Sequence, residues 1–204
     1  MTIDLVIRRG KAVTPLGIVE GDIAIIGERI VSVGTPVSSA KHVIDAKGQW
    51  VMPGGVDAHA HIEQMSGMGV MNADTFETAT TSAAMGGTTS VISFAAQAKG
   101  QSLADTVANY SARAKRGAMI DHAFHMTVTD TSVPRFDDDL GELIAAGHRS
   151  IKVFTTYNIQ LSDREILDTM ALARKHGALV CVHAENDAII ARAKDDLIGR
   201  GQLR

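Results

Sequence analysis

From Pro53 onward the chain repeats a pattern rather than a set of letters. Short apolar runs start near residues 56, 89, 121, 150 and 179, and successive starts lie 33, 32, 29 and 29 residues apart. That spacing suits a strand, a crossover helix and the loops joining them, and such a crossover returns the chain parallel to the strand it left. Helix signals fall between the runs. Asp74 with Glu77 and Ser162 with Glu165 have capping-box spacing, while Gly86, Gly117, Gly147 and Gly177 stand where helices would end. A last helix is expected over "NDAIIARAKDDLIG", finishing at Gly199.

No G-x-G-x-x-G turn follows the first run, which favours a (β/α)8 barrel over a dinucleotide-binding sheet. Residues 53–204 supply five of the eight units such a barrel needs. Residues 1–52 read differently: "IDLVIRR", "GIVEGDIAII", "RIVSVG", "HVIDA" and "QWVM" are strand-like runs punctuated by Gly17, Gly21, Gly27, Pro36 and Gly48. This all-β module is small for a sandwich and needs strands from elsewhere to cover its edges.

At 45% hydrophobic and 21% charged residues, the chain can build a core. Its net charge is −3 with Lys and Arg scattered, which points away from nucleic acid and membrane surfaces and toward small-molecule chemistry. Cys181 is the single cysteine and cannot form an internal disulfide. No apolar run approaches the ~18 residues of a membrane span. "MTIDLVIRRGK" alternates like a strand and lacks the order of a signal peptide, so the expected location is cytoplasmic.

Within the first run, Asp57, His59 and His61 alternate with Val56, Ala58 and Ala60. On a strand this sends the acid and both imidazoles to one face. A lone histidine is ordinarily a hydrogen-bonded core or surface group, and His42, His122, His148 and His176 are read that way. Two at i, i+2 behind an aspartate are different, because both can reach one cation while the carboxylate orients a ring from behind.

Catalytic groups in (β/α)8 barrels sit at the C-terminal ends of strands. There "TTSVISFA" offers Ser93 and small residues, and "DHAFHMTVTD" carries His122, His125 and Asp130, with His125 read as a packing or supporting group. In "SIKVFTTY", Lys152 lies between Ile151 and Val153, an anomaly for a strand unless the amine is paired, chemically used or reaches solvent from an edge. "ALVCVHAEN" ends in His183, with Cys181 two residues deeper as small packing.

Taken in order, "PGGVDAHAH", "AAMGGTTSVISF", "SIKVFTTY" and "CVHAEN" resemble the amidohydrolase superfamily, and within it the dihydropyrimidinase and D-hydantoinase group of cyclic amidases. The resemblance covers the whole chain as the N-terminal half of such an enzyme. It implies part of a β-sandwich domain (1–52), then the first five βα units of a metal-dependent TIM barrel (53–204). Two divalent metal ions, usually zinc, are implied. His59 and His61 would hold the more buried one, His183 the second, and Lys152, carbamylated by carbon dioxide, would bridge both. Asp57 would support the ligands from behind. Burial among apolar neighbours favours the neutral amine, whose lone pair attacks carbon dioxide.

Tyr157 matches the family tyrosine that hydrogen-bonds substrate and oxyanion. The implied reaction opens the ring amide of a cyclic ureide, a dihydropyrimidine or 5-substituted hydantoin, to an N-carbamoyl amino acid. A hydroxide shared by the metals would attack, and a metal plus the phenol would stabilise the tetrahedral oxyanion. A homo-oligomer, dimer or tetramer, is implied as well.

Glu63 stands where dihydroorotase-like enzymes carry an arginine for the substrate carboxylate, so an anionic substrate is expected to be repelled. "EQMSGMG" stands where allantoinase-like chains read "EPG", and Met65, Met68 and Met71 are expected to line an apolar pocket or pack the loop. The family's sixth-strand metal histidine and eighth-strand catalytic aspartate have no counterpart in the 204 residues, so the chain alone is expected to be inactive. An allantoinase- or dihydroorotase-like hydrolase and a non-catalytic dihydropyrimidinase-related scaffold stay open beside the cyclic-amidase reading.

Overall fold

The computed structural model describes residues 2–66 and 69–202, so Met68 lies outside the described residues. The chain forms two compact units, Met1–Gly54 and Gly55–Arg204.

The first unit contains β1 (Ile3–Thr14), β2 (Gly17–Ile26), β3 (Arg29–Val33), β4 (Ala40–Asp45) and β5 (Trp50–Val51). Among the described residues it is one mixed sheet in the order β3-β2-β1-β4, with β5 also pairing β1. β1 does not stop at the double arginine, as the sequence pattern suggests. Its register with β2 shifts between Ile7 and Gly10, and Arg9 adopts φ 56°, so a bulge absorbs the irregularity and the strand continues. Gly21 does not punctuate β2 either. It holds φ 136° opposite Gly10, and a Cβ there would meet the Gly34 carbonyl oxygen at 2.9 Å, so glycine lets the strand run through a close crossing.

The second unit alternates strand and helix throughout: β6 (Gly55–Ala60), α1 (Phe76–Met85), β7 (Thr88–Ala96), α2 (Leu103–Gly117), β8 (Asp121–Thr127), α3 (Phe136–Ala145), β9 (Ser150–Phe154), α4 (Asp163–His176), β10 (Leu179–His183) and α5 (Asp187–Gly199). The five strands pair in parallel and in chain order, β6 to β10, forming a half-barrel. Each begins within one residue of its expected start. Ser162 and Glu165 form the predicted capping box on α4. On α1 the cap falls one residue later than predicted: Thr75 and Thr78 make the box, and Asp74 instead accepts the Thr78 hydroxyl at 3.0 Å. No described helix is long and apolar enough to cross a membrane.

Alternation along the strands divides the sheet into two chemically distinct faces. Val91, Ala95, Phe124, Met126, Ile151 and Val153 are buried with helix residues including Leu103, Val107, Leu140 and Ile166. Each large aliphatic side chain sealed here contributes roughly 1.5–3 kcal/mol. Ser93 shares this helix-covered face and is fully buried, so it does not serve the site. The intervening residues point the other way. Just past β7, Gln97 clamps two loops together. Its side-chain oxygen accepts the Thr129 and Asp130 N–H groups at 2.9 and 3.1 Å, and its amide donates to the Gln101 and Asp130 carbonyls at 2.9 and 3.1 Å.

Candidate active site

The helix-free face of the half-barrel carries the residues singled out by the sequence. His59 and His61 from β6 and its following loop bring their ring centroids to 5.3 Å. Phe94 of β7 packs against both rings, at 4.7 Å from His59 and 4.6 Å from His61, the latter stacked with planes 13° apart. Lys152 of β9 pairs in register with Thr127 of β8 and Cys181 of β10, and its Nζ sits 5.2 Å from the Phe154 ring centroid. His183, at the end of β10, stacks on Phe154 at 5.2 Å.

Supporting hydrogen bonds fix much of this arrangement. Asp57 Oδ1 accepts the backbone N–H of His59 at 3.0 Å, so its hold on that histidine runs through the main chain. His61 Nδ1 meets Gln64 Oε1 at 2.7 Å. His125 uses both ring nitrogens, one 2.6 Å from Ser150 Oγ and the other 2.8 Å from the Ala58 carbonyl oxygen, as befits the supporting role read from its place in an apolar strand. Asp130 lies away from these rings, its carboxylate accepting the Gly100 and Ser132 N–H groups and the Ser132 hydroxyl.

Tyr157 follows β9 with φ 70°, a left-handed conformation that costs a tyrosine roughly 1–3 kcal/mol and often marks a functional position. Its hydroxyl donates to Glu185 Oε2 at 3.1 Å, and the same oxygen lies 2.7 Å from His183 Nε2. Glu185 was not singled out by the sequence reading, although its i, i+2 spacing from His183 is the same signal that exposed His59 and His61.

The electrostatics follow this geometry. Partial removal from water, then the positive fields of His61, Lys152 and His125, hold the His59 imidazole below its ordinary pKa, against a smaller pull from Asp57. The Glu185 carboxyl is held below its ordinary value, first by the His183 hydrogen bond and then by Tyr157. The Tyr157 phenol is correspondingly pushed up, first by its bond to Glu185. Among the described residues, no three His, Cys, Asp or Glu side chains already converge as a metal cage.

Beside these groups opens a cavity of about 700 Å³, lined by His61, Gln64, Phe94, Thr127, Phe154 and Tyr157 among others. Met65 lines it, while Met71 joins Met65 in a smaller neighbouring cavity of about 220 Å³. Glu63 is placed differently from its expected role. Its φ of 46° turns the side chain to the start of α1, where Oε2 accepts the Phe76 N–H at 3.2 Å. It meets the start of a helix and does not line the main cavity.

Comparison with known proteins gives a consistent picture. The amidohydrolase family pattern matches residues 50–203. D-hydantoinases of Ralstonia pickettii and Rhizobium radiobacter are each 37% identical over 201 residues, covering 98% of this chain and 44% of those proteins. A solved D-hydantoinase aligns with a TM-score of 0.92 at 37% identity, over 98% of this chain and 44% of its own. Another, from Bacillus sp. AR9, gives 0.90 at 35% identity with the same coverage. The chain thus spans about 44% of the length of the curated relatives it matches.

Proposed function

Because this chain belongs to the amidohydrolase family, we propose that it carries the first half of a metal-dependent site that hydrolyses the ring amide of a cyclic ureide, a hydantoin or dihydropyrimidine. In this reading residues 53–204 belong to the catalytic barrel and residues 1–52 to a β-sandwich domain. His59, His61, a carbamylated Lys152 and His183 are the metal ligands, and zinc is the expected ion.

The donor set suits a pair of divalent ions once one feature is added. Imidazoles are good ligands, but three imidazoles and an amine lack the anion that two dications need close by. A carbamate on Lys152 supplies it. An orphaned group supports this placement: Thr127 is 4% exposed, lies in register with Lys152, and its hydroxyl has no hydrogen-bond partner among the described residues. A buried hydroxyl left so is costly, and an anionic oxygen on the neighbouring lysine would accept from it. Divalent ions held there supply Lewis acidity, polarising the ring carbonyl and acidifying water near neutral pH.

The chain's own groups do the rest. Phe94 and Phe154 wall the cavity with apolar surface and limit the water beside a planar ring. Tyr157 offers an O–H at the rim, already aimed at an anionic oxygen in Glu185, and can transfer that hydrogen bond to the ring carbonyl oxygen as negative charge develops. Cleavage of the ring C–N bond with addition of water yields the N-carbamoyl amino acid.

The observation that carries the reading is the shared face: His59 and His61 come from β6 and the loop after it, Lys152 from β9 and His183 from β10, yet all stand on the helix-free side. Metal content by atomic emission is the first test, with His59→Ala and His61→Ala each expected to lose at least one equivalent. Unchanged metal content overturns the ligand assignment. A hydrolysis panel of hydantoin, dihydrouracil, allantoin and dihydroorotate, run on the complete protein, then separates the cyclic-amidase reading from its relatives, and turnover of none of them favours a non-catalytic scaffold.

A further inference from the structure

We propose that Gln64 is a positioning residue that decides which nitrogen of His61 is presented to the metal, an inference that rests on reading His61 as a ligand. Gln64 Oε1 lies 2.7 Å from His61 Nδ1. An amide oxygen can only accept, so the contact requires a proton on Nδ1 and leaves the Nε2 lone pair available. A neutral imidazole free in water prefers the opposite arrangement, with the proton on Nε2. The contact therefore reverses a default rather than merely decorating it.

The surroundings make Gln64 a firm anchor. Its backbone N–H donates to Asn72 Oδ1 at 2.8 Å, its carbonyl accepts the Asn72 N–H at 3.1 Å, and the Asn72 amide also donates to the His61 carbonyl. Glu63, at φ 46°, bends the chain between His61 and Gln64, and Arg113 holds its carbonyl at 2.7 Å. The His61 ring lies flat against Phe94, so its tilt is constrained as well as its proton. Asp57 does not compete for this role, since its contact is with the His59 main chain. Ligand histidines are commonly oriented by a group on the second nitrogen, and loss of that group weakens metal binding about 10–100-fold.

Long-range nitrogen–proton correlation NMR of the complete protein freed of metal, at a pH where the imidazole is neutral, reads the tautomer directly. His61 should carry its proton on Nδ1 in the wild type and in Gln64→Glu, and on Nε2 in Gln64→Leu. Zinc titration should show about 10–100-fold weaker binding for Gln64→Leu and near-wild-type binding for Gln64→Glu. A wild-type His61 protonated on Nε2, or a tautomer unmoved by Gln64→Leu, overturns the proposal. If Gln64→Leu fails to fold, the wild-type spectrum alone decides. If His61→Ala binds zinc as tightly as the wild type, the ligand reading falls, while the spectra still judge the Gln64 contact.

Discussion

Tyr157 and His183 meet at a single atom: Oε2 of Glu185 accepts the tyrosine hydroxyl at 3.1 Å and stands 2.7 Å from the histidine Nε2. The loop after β9 and the end of β10 are thereby joined through one carboxylate, and each partner can be removed separately.

Tyr157→Phe deletes the O–H while leaving the His183–Glu185 contact in place. If the complete protein is the cyclic amidase proposed, metal content should be retained and kcat for hydantoin ring opening should fall by a factor of ~10² or more, as for loss of one oxyanion donor. Steady-state kinetics with parallel metal analysis checks this. An unchanged kcat would remove the phenol from the chemistry.

Lys152→Ala removes the atom on which a carbamate would form, without disturbing the Ile151 and Val153 side chains buried on the opposite face. The variant should be poor in metal and inactive, and added acetate or propionate should restore part of the activity by filling the space with a free carboxylate. Wild-type protein given isotopically labelled bicarbonate should show a carbamate carbon signal that the variant lacks. Absence of that signal in metal-replete, active protein would exclude the modification.

Asp130 gives a prediction about stability. The Ser132 hydroxyl first, then the Gly100 and Ser132 N–H groups, hold its carboxyl below the ordinary value. A carboxyl with a lowered folded-state pKa stabilises the fold above its unfolded pKa and loses that contribution as pH falls through the folded value. Asp130→Asn should therefore flatten the acid side of the stability profile, with the difference from wild type shrinking below the usual aspartate range. Urea unfolding at a series of pH values measures it, and parallel profiles would show that the three hydrogen bonds contribute no linkage.

The 204-residue polypeptide by itself should open no hydantoin ring. Both β6 and β10 are edges of the parallel sheet. α5 has no buried residue, leaving Ile189 and Ile198 68% and 54% exposed. Unpaired parallel edges and bare apolar surface favour self-association. Light scattering and ring-opening assays on the isolated chain, loaded with zinc and bicarbonate, test this, and metal-dependent turnover by a monomer would contradict it.

The half-barrel was legible because a parallel strand buried on one side and a crossover helix each leave a strong periodic mark, and five such marks recur at nearly constant spacing. Alternation groups His59 with His61 and sets Lys152 opposite Ile151 and Val153, whereas joining these with His183 into one site came from the family resemblance. Gln64 was not legible. Its contact depends on the left-handed turn at Glu63 and on Asn72 reaching back across the loop, neither of which has a periodic signature. For the same reason the place of the Glu63 side chain was not legible: counting residues beyond His61 puts it near the pocket, while one positive φ turns it to a helix terminus. The strand bulge at Arg9 was hidden because two adjacent arginines look like a strand end.

Gln97 also has a mechanical meaning. One side chain saturates backbone groups on both its own loop and the loop after β8, so these two segments cannot open independently without stranding buried donors and acceptors. They behave as a single plate at the cavity rim, with Thr129 and Gln97 itself among the groups lining the space. A change in either loop, even one remote from every ring and amine discussed above, is therefore transmitted to the other, and the cavity's width on that side is one adjustable quantity rather than two.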